Sequence, residues 1–167
     1  MKFVTDGQEI RQKIALARDL MDARGMELAG DQVLQRLLEG YDAAINDTFA
    51  CMRELDLGGL CGMCATSVEG GGCCGRGIDE WYDHYLMLMN MMLGIGLPES
   101  RHDPSGCFFL GPSGCTIRAR YHFCVNYLCY RIHEKYTDEE LQRLGAASGR
   151  ELYMSWRLEM RLRELGF

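Results

Sequence analysis

Residues 61–78 read CGMCATSVEGGGCCGRGI, with four cysteines (Cys61, Cys64, Cys73 and Cys74) and six glycines. Glycine at that density disfavours both helix and strand, so the stretch predicts an irregular loop. The flanking sequence on both sides has helical periodicity, so the predicted fold class is mainly α. It is a helical scaffold around an irregular cysteine-rich metal-binding segment with a short β-hairpin.

Upstream, Ile10, Ile14, Ala17 and Met21 recur at helical spacing. Thr5 with Gln8, or Asp6 with Glu9, offers a capping box for this helix, and Gly25 is the expected stop. Asp31 is placed to cap a second helix whose apolar face runs through Leu34, Leu38, Tyr41, Ile45, Phe49 and Met52 as far as Gly58-Gly59. Downstream, Asp79 is expected to open a third helix with one stripe through Trp81, Tyr85, Leu88, Met92 and Ile95. A second stripe, through Tyr82, Leu86, Met89 and Leu93, predicts burial on more than one face. Gly94, Gly96 and Pro98 end it. Its four methionines between Met87 and Met92 read as core packing rather than as a soft-metal site.

Residues 107–117 predict a hairpin about the turn Gly111-Pro112-Ser113-Gly114. Thr137 with Glu140 and Ser148 with Glu151 predict the starts of a short helix and a final one, the latter through Trp156, Met160 and Leu165. The whole, 1–167, reads as a single domain: a helical hairpin over 1–60, the cysteine-cluster segment over 61–130 and C-terminal helices over 131–167.

The chain has 167 residues, 47% of them hydrophobic, enough for a core without disulfides. Nothing at its start reads as an export signal, and the apolar run 86–97 is too short for the ~20 residues of a bilayer span. The expectation is a cytoplasmic protein that does not enter membranes. In a reducing compartment, nine cysteines point to metal binding rather than to a disulfide framework. The formal charge is −6, and eight thiolates holding two divalent ions would make it about −10, so nucleic acid is not an expected partner.

Eight cysteines form two groups: Cys61, Cys64, Cys73 and Cys74, then Cys107, Cys115, Cys124 and Cys129. Four thiolates complete one tetrahedral zinc site or ligate one iron–sulfur cluster. Cys61 and Cys64, separated by two residues, can turn back on one metal. The adjacent Cys73 and Cys74 diverge in extended chain and favour a polynuclear or two-site arrangement. Cys124 and Cys129 would diverge by roughly 140° on one helix, so either the helix breaks between them or they serve separate centres. Cys51 reads as a small buried hydrophobe, with a ninth ligand as the alternative. Arg76, Arg118 and Arg120, with Arg131 beyond them, are candidates to offset the charge of the bound cofactor. His84, His102, His122 and His133 form no ligand pattern.

The order Cys61, Cys64, Cys73-Cys74, then Gly106-Cys107-Phe108-Phe109-Leu110, Gly114-Cys115-Thr116-Ile117, Arg120 and finally Cys124 and Cys129 resembles the YkgJ-like cysteine-cluster family, a zinc- or iron-chelating domain of the CxxCxxCC type. The resemblance spans 61–129. It departs at Tyr121, where the family usually has proline, and in the eight residues between Cys64 and the adjacent pair. It implies eight metal-binding cysteines and leaves zinc or iron open.

Three functional expectations follow. The first is an iron–sulfur protein in electron transfer or redox sensing, with a redox or protein partner. The second is a structural zinc-binding module for protein interaction. The third is a metalloenzyme with an open cluster iron beside Arg120, Tyr121 and His122.

Overall fold

The computed structural model describes residues 7–65, 74–75 and 77–167, with the backbone alone for 62–65. Thr5, Asp6, Cys73 and Arg76, and the side chain of Cys64, lie outside the described residues. The molecule is mainly helical, and a two-stranded hairpin is the only sheet among the described residues.

Helix α1 (Gln8–Gly30) passes through Gly25 rather than stopping there. A helical glycine costs about 1 kcal/mol. That is small beside the burial of Ile10, Ile14, Ala17 and Leu28, each worth roughly 1–3 kcal/mol for the larger side chains. The break comes at Asp31, whose extended backbone separates α1 from α2 (Gln32–Glu54) and whose carboxylate accepts from the Leu34 N–H at 2.7 Å.

Helix α1 packs chiefly on α4 (His84–Met92), and α2 chiefly on α7 (Asp138–Glu164). Three ion pairs set α2 and α7 antiparallel: Asp31 with Arg161, Asp47 with Arg150, and Glu54 with Arg143. The two helices approach closely at Gly40, where an added Cβ would meet Met154 Cε at 2.7 Å.

Helix α2 ends at Glu54, before the expected glycine pair, and Asp56 turns the chain at φ 50°. Gly58 and Gly59 instead lie in α3 (Leu57–Ala65), which also contains Cys61 and Cys64. The opening of the predicted loop is therefore helical. The early turn lets Leu55 and Leu57 both enter a small second core with Cys51, Ile132 and Leu144.

Asp79 does not open the third helix. It lies in a 3-10 turn (Ile78–Trp81), and Asp83 caps α4 by accepting from the Leu86 N–H at 2.9 Å. Tyr85, Met87, Leu88, Met89 and Asn90 are buried along α4, so its methionines pack in the core, whereas Trp81 is half exposed. Gly94, at φ 75°, follows its end.

Strands β1 (Leu110–Gly111) and β2 (Gly114–Cys115) form the expected hairpin, with Leu110 opposite Cys115. Two short helices follow, α5 (His122–Asn126) and α6 (Tyr130–Lys135). Thr137 and Glu140 make the predicted capping box. The predicted start at Ser148 is absent: α7 runs unbroken, Ser148 Oγ donates to the Gly145 carbonyl, and Glu151 is buried. Because the helix is continuous through both residues, the backbone N–H groups there already bond within it and none is left to cap. Among the described residues, no helix is long and apolar enough to cross a membrane.

Candidate metal-binding cysteine site

Asp79 is fully buried and holds the cysteine segment from below. The Arg101 guanidinium donates to both its oxygens, at 3.0 and 2.7 Å, and Phe108 N–H donates to it at 3.2 Å. Arg101 also donates to the Gly106 carbonyl at 2.7 Å. These contacts place Cys107 against the chain around Cys74: Cys107 N–H donates to the Cys74 carbonyl at 2.9 Å, and Gly75 bridges Gly106. Two cysteines from opposite halves of the sequence thus meet through backbone hydrogen bonds.

A second anchor fixes the chain leading to Cys124. Asn90, fully buried on α4, donates to the Ala119 carbonyl at 2.9 Å. Its side-chain oxygen accepts from the Arg118 and Ala119 N–H groups at 2.8 and 3.0 Å. Helix α5 follows this anchored stretch, and the Cys124 N–H bonds to the Tyr121 carbonyl at 2.8 Å. The helix then breaks between Cys124 and Cys129, since Tyr127 is extended before α6 begins.

Cys107, Cys115 and Cys124 come from three segments: Cys107 is buried before β1, Cys115 is exposed at the end of β2 and Cys124 is half-buried on α5. Burial pushes the Cys107 thiol up to about 12, with Asp79, Cys115 and Cys124 adding to the rise and a Phe109 backbone hydrogen bond opposing it. Tyr82 links the same group. Its hydroxyl donates to Cys124 Sγ at 3.6 Å, and its phenol is pushed far above its ordinary range by burial, then by Cys124 and Cys115. Tyr82 is therefore a protonated donor facing sulfur.

Cys129 packs against the small core that contains Cys51. Leu60, next to half-buried Cys61, packs on that core too. Cys51 is 7% exposed and sits among leucine and isoleucine side chains, as a small hydrophobe does.

Two of the arginines expected beside the cysteines, Arg118 and Arg120, pair with residues of α2 and α7. Arg118 pairs with Asp42 at 2.6 Å and donates to Asn46 at 3.0 Å, both on α2. Arg120 is buried, 3.6 Å from Glu151 and stacked 4.6 Å over Phe49. His122 is exposed against Tyr121, so it does not share Arg120's interior position.

Reasoning from sequence missed Asp79, Tyr82, Asn90 and Arg101 as organisers of the site. One signal was present: Asn90 is a single amide in an otherwise apolar run. Among the described residues, no three His, Cys, Asp or Glu side chains are arranged to hold a metal ion. The donor chemistry of Cys107, Cys115 and Cys124 nevertheless suits a thiophilic cation. Such a cation would deprotonate the Cys107 thiol, which burial otherwise keeps neutral. No protein family, curated protein or solved structure matches the chain.

Proposed function

We propose that the protein is a metal-binding cysteine-cluster protein of the cytoplasm, holding an iron–sulfur centre for electron transfer or redox sensing. The observations that carry this reading are that the Cys74 carbonyl accepts from the Cys107 N–H, which joins the two groups of cysteines, and that the buried Tyr82 hydroxyl donates to Cys124 Sγ. Cys61, Cys64, Cys73 and Cys129 complete the eight thiolates. An iron–sulfur centre supplies one-electron chemistry when bound. The chain's own part is to hold sulfur donors on two braced loops, with Asp79 and Asn90 fixing where each loop lies. Arg76 keeps the role of charge partner to the cofactor, whereas Arg118 and Arg120 act through the scaffold that positions the loops.

Anaerobic purification followed by iron, zinc and acid-labile sulfide analysis tests the reading. Iron and sulfide in equal amounts, with visible absorption bleached by dithionite, is the expected result. Zinc alone, with no sulfide and no visible band, overturns it.

A second reading is a structural zinc module that recruits a protein partner. It is favoured by three exposed aromatics on the cysteine-bearing part of the chain, Trp81 (51% exposed), Tyr127 (44%) and Tyr130 (64%). Such side chains suit protein interfaces. Zinc would then contribute folding energy, and chelation would unfold the protein. A helical circular-dichroism signal that survives demetallation counts against this reading.

A further inference from the structure

We propose that Tyr82 is a positioning residue that tunes the cysteine-held metal centre through a hydrogen bond to Cys124, an inference that rests on Cys124 being a ligand. Tyr82 is 2% exposed, and its hydroxyl stands 3.6 Å from Cys124 Sγ. Its ring is held by Phe109 and Tyr121, with centroids 4.9 and 5.9 Å away. Its backbone is tied to Asp79 by a 3.3 Å hydrogen bond, and Asp79 is itself clamped by Arg101. The hydroxyl is thus held against sulfur, shielded from bulk water.

Hydrogen bonds to metal-bound sulfur, like other contacts just outside the ligands, set the electronic properties of a centre. A hydroxyl donor draws electron density from the thiolate. It lowers the sulfur lone pair in energy and favours the more reduced, more negative state of the centre. The interaction needs no bond to form or break, and the proton stays on oxygen throughout.

The test uses the full chain loaded anaerobically with cobalt(II), a probe whose sulfur-to-metal charge-transfer band reports directly on thiolate donors. Tyr82→Phe keeps the ring and its packing but removes the donor. It should bind as much cobalt as the native chain, with the charge-transfer band shifted to lower energy. Tyr153→Phe, which removes an exposed phenol on α7, should leave the band in place. If the native chain carries iron–sulfur, Tyr82→Phe should also lower its reduction potential. Coincident bands for Tyr82→Phe and the native chain overturn the role of Tyr82 alone. A native chain that takes up neither cobalt nor iron with sulfide overturns the metal reading and this inference with it. Should Tyr82→Phe fail to fold, site-specific 3-fluorotyrosine at position 82, a stronger donor of nearly the same shape, should move the band to higher energy. No movement overturns the inference.

Discussion

Replacing Asn90 with leucine should remove much of the stability of the fold while keeping the number and branching of the side-chain heavy atoms. Asn90 is fully buried, and its amide satisfies three backbone groups of the segment leading to Cys124: the Arg118 N–H, the Ala119 N–H and the Ala119 carbonyl. Its fourth bond goes to the Leu86 carbonyl one turn back along α4, at 2.8 Å. Leucine has the same branching and heavy-atom count but makes none of these bonds. Each buried backbone group left unpaired costs about 1–3 kcal/mol. Three such groups sum to about 3–9 kcal/mol, and partial rehydration at the less buried Arg118 brings the expected loss to about 3–5 kcal/mol. That is a large share of the roughly 5–15 kcal/mol that stabilises a typical domain. With a urea dependence of about 2 kcal/mol per molar, the unfolding midpoint should fall by about 1.5–2.5 M. Met87→Leu, at an equally buried position on the same helix, makes no such polar contacts. It should lose less than about 1.5 kcal/mol. An Asn90→Leu midpoint within about 0.5 M of the native value would refute the anchoring argument.

Two further substitutions probe buried charges. Asp79→Asn leaves Arg101, whose side chain is 6% exposed, without a charged partner. It should lose about 3–5 kcal/mol in urea melts, and a loss below about 1 kcal/mol would show that the clamp is dispensable. Glu151, fully buried, has a raised pKa caused first by desolvation and only partly opposed by Arg120, Thr48 and Arg118, while Tyr41 lies in the same field. The folded protein therefore keeps this proton at pH values where the unfolded chain, near about 4.3, has lost it. Stability from this group is full below the unfolded pKa and is lost as pH rises through the raised folded one. Glu151→Gln lacks this loss, so its stability relative to the native protein should grow as pH rises above the unfolded value of about 4.3. A difference that stays flat or shrinks over that range would contradict the assigned direction.

Several elements were legible because their signals are local. Asp31 caps α2, Thr137 and Glu140 form a capping box, Gly94 follows the end of α4, and the hairpin turns between Gly111 and Gly114. Each depends on side-chain-to-backbone bonds, or on left-handed backbone angles, within a few residues. Local signals misled where burial opposed them. Gly25 and Gly58-Gly59 lie inside helices, and Ser148 with Glu151, a capping pair by sequence, faces the interior of α7.

The amino-acid sequence by itself determined that the protein is mainly helical, that eight cysteines lie between Cys61 and Cys129, and where the caps at Asp31 and Thr137 and the turns at Gly94 and 111–114 fall. Only the tertiary structure decided which cysteines become neighbours and which partners the charged residues take. Arg118 meets Asp42 across 76 residues and Arg161 meets Asp31 across 130. Cys124 stands under Tyr82, while Cys129, five residues later, packs on the core around Cys51. Sequence spacing limits how far apart neighbouring residues can lie, but contact between distant ones depends on how helices pack, which the buried apolar faces and the ties at Asp79 and Asn90 settle.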